Sequence, residues 1–138
     1  MKNFKKSAEK ITNQYFGKTL VSNICITFHS ETNNTFRGLK GYNGISVGLY
    51  NGHYIIDILA SYFKTKTIRN KNTGWSDQIM IVPNKDAKKL INFFKKNNFA
   101  FTNALNFALS ERITYEKKLT QEEEKQLIVD LCEYLANK

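Results

Sequence analysis

The sequence has 138 residues, with 21 Lys and Arg against 12 Asp and Glu and a formal net charge of +9. This length fits one domain, and we expect residues 1–138 to fold as a single α+β domain. Apolar residues make up 41% of the chain and include ten Phe and seven Tyr. Disordered tails are poor in aromatic residues, so this composition excludes that class.

The composition also argues against membrane and disulfide-rich classes. No run approaches the roughly 20 apolar residues that span a bilayer, and no apolar signal-peptide core follows the N-terminal lysines. The two cysteines are too few for a disulfide framework. We therefore expect a cytoplasmic protein with no membrane partner.

The positive charge consists almost entirely of lysine. Only Arg37, Arg69 and Arg112 carry a guanidinium, the planar group that reads guanine edges bidentately, so base-specific reading of duplex DNA is disfavoured. Residues 1–110 hold 16 basic and 5 acidic side chains, whereas residues 111–138 hold 5 basic and 7 acidic ones. The positive field therefore belongs to the body of the chain.

The N-terminal segment has apolar residues at helical spacing, at Phe4, Ala8, Ile11 and Tyr15. This spacing predicts a helix ended by Gly17. Its short length, the presence of Glu9 and the absence of Arg favour a packed structural helix over a membrane anchor or a transit peptide.

The next segments indicate strands. The β-branched and apolar run from Leu20 to Phe28 predicts a buried strand. Asn51-Gly52 is the strongest short hairpin signal in the chain and predicts a type I′ turn between two strands, Ile45–Tyr50 and His53–Ser61.

Two further strands are predicted before the only proline. Phe63–Arg69 alternates and places Lys64 and Lys66 on one face, and Asp77–Val82 is closed by Pro83. The short connections predict a four- to five-stranded antiparallel meander.

Two to three C-terminal helices are then expected to pack on this sheet. The first has Asn84 as its N-cap and Asp86 in its first turn, and its apolar stripe is Ala87, Leu90, Ile91 and Phe94. Asn97-Asn98 ends it. A second helix is predicted from Thr102 or Asn103, with Leu105, Ala108 and Leu109 facing inward.

The last predicted helix begins at Thr120, where Glu123 completes a capping box. Its apolar face is Leu127, Ile128, Leu131 and Leu135. This face favours docking on the sheet, although it also leaves a homodimer open.

Catalytic signals are weak, and we expect no catalytic residue, no cofactor and no metal. His29 and His53 do not stand in metal-ligand spacing, and Cys25 and Cys132 are expected to be small core residues. Most sequence signals therefore favour a protein that is not an enzyme.

A small metal-dependent nuclease stays as an alternative. On the predicted strand, His53 and Asp57 share a face at roughly 13 Å, too far apart for a hydrogen bond. Mg²⁺ sites usually need two or more converging carboxylates. Residues 1–76 offer only three acidic side chains: Glu9, Glu31 and Asp57.

Five of the seven glycines lie between residues 38 and 52, next to Arg37 and Lys40. This cluster matches neither the Walker pattern nor the dinucleotide fingerprint. It could cradle a phosphate, but turns and bulges between strands are the simpler interpretation.

The basic segment Lys64, Lys66, Arg69 and Lys71 is more informative, because residues 58–76 contain no acidic residue and end near the sole Trp75. Interleaved cations and aromatics suit single-stranded nucleic acid. Lysines that protect a sheet edge, or an acidic protein partner, would produce the same pattern.

These features predict a stoichiometric binding protein that engages nucleic acid or a nucleic-acid-handling protein complex through a basic surface. The AT-rich character implied by 16 Asn and 18 Lys suits a phage or mobile-element product, for example an anti-CRISPR-like inhibitor of a host nuclease. Direct single-stranded nucleic-acid binding is the first alternative. The candidate binding residues are Lys64, Lys66, Arg69, Lys71, Trp75, Arg37 and Lys40.

Overall fold

The structure is a computed structural model that describes residues 4–15, 21–31, 35–47, 53–69, 76–107 and 110–137. Its helices are α1 (Phe4–Tyr15), α2 (His53–Ala60), α3 (Asn84–Lys96) and α4 (Gln121–Ala136). Its strands are β1 (Val21–Glu31), β2 (Thr35–Phe36), β3 (Leu39–Lys40), β4 (Tyr42–Val47), β5 (Lys64–Arg69), β6 (Ser76–Pro83), β7 (Ala100–Phe107) and β8 (Ser110–Thr120).

The strands form one antiparallel sheet with the long strand β1 near its middle. The main order is β7-β8-β1-β4-β6-β5, and the short ribbon β2–β3 attaches at the C-terminal end of β1. β1 pairs with β8 along its whole length, from Val21 opposite Thr120 to Glu31 opposite Ser110. On its other side it pairs with β4 over residues 26–29.

One face of this sheet builds the main core. Alternate residues of β1, Ile24, Ile26 and Phe28, are buried there, together with core residues of β4, β6 and β8. All four helices contribute buried side chains to the same cluster. Strands β1, β4, β6 and β8 therefore direct alternate residues toward one layer of helices, as the period of two requires.

This architecture confirms the α+β class, with an N-terminal helix, an antiparallel sheet and C-terminal helices. The described sheet has more strands than predicted, and its order departs from a meander. β6 lies between β5 and β4, and the β7–β8 hairpin returns to β1. The β4–β6 and β1–β8 pairings join segments far apart in sequence, so turn signals do not reveal them.

The predicted strand His53–Ser61 is wrong, because this segment forms α2. Its buried residues are Tyr54, Ile55, Ile58 and Leu59, a helical spacing. A short apolar run fits helical and strand periods almost equally, and here packing against the core decides. The Asn51-Gly52 turn lies outside the described residues.

The predicted helix starting at Thr102 or Asn103 is also wrong. This segment is strand β7, which pairs with β8. A shift in register between Phe101 and Asn103 interrupts the alternation of β7, so the two-residue period was hidden in the sequence. Of the residues expected to face inward there, Ala108 and Leu109 lie outside the described part, and Leu105 belongs to β7.

The predicted helix boundaries are confirmed at two of three positions, because α3 ends at Lys96 just before Asn97 and α4 begins after Thr120. Thr120 caps α4 in a complete capping box with Glu123, as predicted. Asn84 is not the cap of α3, because the helix begins at Asn84 itself after Pro83. The backbone N–H of Asn84 donates to the Gly41 carbonyl, and its side-chain oxygen accepts from the Asn43 amide.

The predicted helix faces agree with the packing. Ala8 and Ile11 of α1 are buried, as are Ala87, Leu90 and Phe94 of α3. The exception in α3 is Ile91, which is only half-buried, while the neighbouring Phe93 is buried. The whole predicted stripe of α4 is buried within the same cluster, which confirms docking onto the sheet layer. Gly17 lies outside the described residues. Within the described chain, no helix has the length and apolar character needed to cross a bilayer.

Candidate functional site

The sheet face opposite the helices is the candidate site, and we call it the open face. By strand alternation it carries Cys25, Thr27 and His29 of β1. Gly44 and Ser46 of β4 lie beside them in register. A small second cluster packs on this face, formed by Phe36, Ile79 and Ile81, and it includes no described helix residue.

Hydrogen bonds between neighbouring strands fix the polar side chains of the open face. The hydroxyls of Thr27 and Thr114 lie 3.0 Å apart across β1 and β8. The Nε2 atom of His29 is 2.7 Å from the Ser46 hydroxyl across β1 and β4. These bonds hold a polar row in place across the centre of the sheet.

The β2–β3 ribbon folds onto part of this face. Arg37 and Gly38 have φ values of 53° and 80°, which make the two-residue turn between Phe36 and Leu39 a type I′ turn. The Phe36 ring packs directly over Gly44, where an added Cβ atom would lie 2.5 Å from the ring. The ring centroid of Phe36 is also 6.1 Å from that of His29.

The electrostatic environment of His29 is positive. Burial, which is the largest cause, and the nearby charges of Arg112 and Arg37 together lower the pKa of His29 to about 4. Arg112 is the direct cross-strand partner of His29, and Arg37 follows Phe36. His29 is therefore neutral at physiological pH, beside two guanidinium groups.

Cys25 corrects the expectation that both cysteines are core residues. Cys132 is fully buried among apolar side chains, but Cys25 is half-buried on the open face. Its thiol donates to Glu116 Oε2 at 3.2 Å. Burial, this hydrogen bond and the carboxylate charge raise the pKa of the Cys25 thiol to about 11, so it stays protonated and is a poor nucleophile.

The predicted cations of β5 occupy positions of two different alternating sets of the strand. Lys64 is exposed and stands opposite Ile81, which assigns it to the open face. Lys66 has the next position of that face, opposite Ile79. Position 69 belongs to the other alternating set of β5, so the register does not place Arg69 on the same face as Lys64.

Of the other predicted binding residues, two lie on the β2–β3 ribbon and two lie outside the described part of the chain. Arg37 and Lys40 are exposed on the β2–β3 ribbon, beside the open face. Gly38 and Gly41 have positive φ values, as the turn interpretation of the glycine cluster expects, whereas Gly44 lies within β4 beneath the Phe36 ring. Gly48 and Gly52 lie outside the described residues. Lys71 and Trp75 lie outside the described residues.

The sequence analysis did not predict that β8 contributes cations to the open face. Arg112 and Lys118 are exposed on the open face, in the same alternating set as Thr114 and Glu116. The alternation from Arg112 to Leu119 was a usable strand signal, with apolar residues at 113, 115 and 119.

The residues of the nuclease alternative do not form the predicted arrangement. His53 and Asp57 belong to helix α2, where positions four apart are about 6 Å apart along the axis, and Asp57 is exposed. Among the described residues, no group of three or more His, Cys, Asp or Glu side chains could hold a metal ion.

Comparison with known proteins gave no assignment: no family model and no curated protein matches the chain.

Proposed function

We propose that this protein is a non-enzymatic, stoichiometric binding protein that engages single-stranded nucleic acid through the open face. The observation that carries the proposal is that separate segments place exposed cations on or beside one sheet face that no described helix covers. They are Lys64 of β5, Arg37 and Lys40 of the ribbon, and Arg112 and Lys118 of β8.

The shape of this surface suits an extended polyanion. A sheet face that no described helix covers lets a strand of nucleic acid lie across several β-strands, while cations at its border follow the backbone. Tyr42 is 38% exposed and belongs to the same alternating set of β4 as Gly44 and Ser46. Its ring offers a stacking surface for a base.

The lysines of α3 are a weaker candidate for the binding surface. Lys85, Lys88, Lys95 and Lys96 are exposed, but they follow the solvent side of an amphipathic helix, where such residues ordinarily keep a protein soluble. Lys85 and Lys88 therefore serve as the matched control for charge alone.

The proposal includes a cytoplasmic location, where nucleic acid is accessible and cysteines stay reduced. Both cysteines are free thiols in the structure, which is consistent with a reducing compartment. The same positive face would also attract an acidic protein, including a host nuclease in the anti-CRISPR-like case. The experiment below separates these partners.

The decisive experiment compares two charge-reversal variants with equal change in net charge. The open-face variant is Lys64→Glu with Arg112→Glu, and the control is Lys85→Glu with Lys88→Glu. Binding of a fluorescent single-stranded oligonucleotide is measured by anisotropy. We expect the open-face variant to lose at least about tenfold in affinity and the control to lose much less. Equal losses in both variants would refute a localised site.

A pull-down from the native host, with and without nuclease treatment, identifies the class of partner. Under the proposal, the recovered partner is nucleic acid and disappears after nuclease treatment. A protein complex of fixed stoichiometry that survives nuclease and depends on Lys64 and Arg112 would instead establish the protein-directed inhibitor and contradict direct nucleic-acid binding.

A further inference from the structure

The described sheet ends in two full-length edge strands that differ in chemistry. β5 pairs only with β6 and β7 only with β8, whereas the further edge strand β3 has two residues. The β5 sequence, KTKTIR, includes three cations. Charged residues, above all Lys, protect an exposed edge from pairing with another chain. The β7 sequence, AFTNALNF, has eight residues with neither a charge nor a proline, so β7 lacks this protection.

β7 also presents an exposed aromatic side chain. Among the large apolar side chains of the described residues, Phe101 is the most exposed, at 57%. Its ring contacts the Tyr115 ring edge to face, with 5.8 Å between centroids. Tyr115 is itself buried against Phe28, so a packed ring supports Phe101 from behind. A supported aromatic ring at a surface is a typical anchor of a protein interface.

One irregularity limits how much of β7 can pair. The register with β8 shifts between Phe101 and Asn103, and such bulges weaken pairing at an edge. Residues 103–107 nevertheless pair with β8 in continuous register, from Asn103 opposite Thr114 to Phe107 opposite Ser110. This part of β7 therefore has the regular backbone that a further strand needs.

We propose that β7 pairs antiparallel with β7 of a second copy of this chain, so that one sheet runs through both copies. A second copy presents the same uncharged edge, so the pairing sets no like charges opposite each other, whereas two β5 strands would. Antiparallel self-pairing has twofold symmetry, the commonest symmetry of soluble oligomers. The predicted stripe of α4 does not offer such an interface, because it is buried within the chain.

The net charge determines how this dimer responds to salt. Each copy carries a formal charge of +9, so two copies repel each other and salt screens the repulsion. The β7 pairing itself consists of backbone hydrogen bonds and apolar contact. The dimer should therefore tighten as salt rises. Association of the basic open face with the acidic side chains of α4 would weaken instead.

The pairing has a consequence for the open face. The twofold axis of an antiparallel pair stands perpendicular to the sheet, so the open faces of both copies lie on the same side. A longer polyanion could then extend from one copy to the next. This consequence rests on the proposed function, but the dimer does not.

Analytical ultracentrifugation of the full chain without nucleic acid gives the first test. We expect the wild type to dimerise between about 10 µM and about 1 mM, the range of small, transient interfaces, and to dimerise more tightly at about 0.5 M than at about 0.1 M salt. A wild type that stays monomeric over this range, or a dimer that weakens with salt, would overturn the proposal.

Two matched variants locate the interface. Phe101→Lys removes the aromatic anchor and adds an edge-protecting charge, and it should raise the dimer dissociation constant at least about tenfold. The control, Val129→Lys, makes the same kind of change at an apolar residue of α4 that is 37% exposed. It should raise the constant less than about threefold. Equal effects, or a larger effect of Val129→Lys, would overturn pairing through β7.

Amide hydrogen exchange of the wild type, followed by NMR, needs no variant to fold. On concentration of the protein, alternate amides of β7 should exchange more slowly, while those of the edge strand β5 keep their rates. Slowing in β5, or none in β7, would overturn the proposal. None of these tests involves an oligonucleotide, so failure of the dimer and failure of the proposed function are observed separately.

Discussion

We expect acidification to weaken the folded state through His29 at a pH where most carboxylates are still ionised. In the folded protein, burial and the neighbouring charges of Arg112 and Arg37 hold the pKa of His29 at about 4, below its ordinary value of 6.5. The unfolded chain therefore binds a proton at a higher pH than the folded chain does. The stabilisation is complete above pH 6.5 and is lost as the pH falls toward 4.

The size of this effect follows from the difference between the two pKa values. This difference in pKa lowers the free energy of unfolding by about 3 kcal/mol when the pH falls from above 6.5 to below 4. Between about pH 7.5 and about pH 5, the loss from His29 alone is about 2 kcal/mol. Because Arg112 and Arg37 are exposed and screened by salt, we treat this figure as an upper value.

Urea unfolding at these two pH values, followed by circular dichroism, measures the effect. The matched variant is His29→Gln, which cannot titrate but can still bond the Ser46 hydroxyl. On acidification, the free energy of unfolding of the wild type should fall by about 2 kcal/mol more than that of this variant. An equal pH dependence in both proteins, or an NMR pKa of His29 near 6.5, would refute the reasoning.

Three further predictions test the packing and chemistry around the open face. Gly44→Ala should cost about 1–3 kcal/mol of unfolding free energy in urea denaturation, because the new Cβ displaces the Phe36 ring. Thr120→Ala should cost about 1 kcal/mol in the same assay, since it removes the side-chain cap of α4. Alkylation of Cys25, followed by mass spectrometry, should be slow at neutral pH, and Glu116→Gln should accelerate it by removing the charge that raises the thiol pKa.

Each of these predictions has a contradicting result. Combining Gly44→Ala with Phe36→Ala should cost less than the sum of the single changes, so strict additivity would argue against the ring contact. An unchanged stability of Thr120→Ala would show that the cap does not stabilise α4. Alkylation of Cys25 at the rate of a free cysteine would contradict a raised pKa.

Local signals in the sequence predicted local structure well. The capping box at Thr120 and Glu123 depends on residues three apart, and the structure contains it. The stripe of α4 and the strand Lys64–Arg69 likewise follow from short-range periodicity. Where a run is short and apolar, as in α2, the same reasoning failed because only tertiary packing decides between helix and strand.

The candidate site was harder to predict because it depends on pairing across the sheet. Lys64 and Lys66 could be assigned to one face from alternation alone. The meeting of His29 with Arg112 could not, since it requires the β1–β8 register between segments 83 residues apart. The position of Arg37 depends on a ribbon folding back over Gly44, which no sequence period encodes.

The salt dependence of oligonucleotide binding tests the central claim most directly. Each phosphate neutralised on a single strand contributes about 0.7 to the slope of log affinity against log salt concentration. If Lys64 and Arg112 contact phosphates, the Lys64→Glu and Arg112→Glu variant should show a slope smaller by about 1.4 or more, whereas Lys85→Glu with Lys88→Glu should keep the wild-type slope. Identical slopes for all three proteins would contradict binding through the open face.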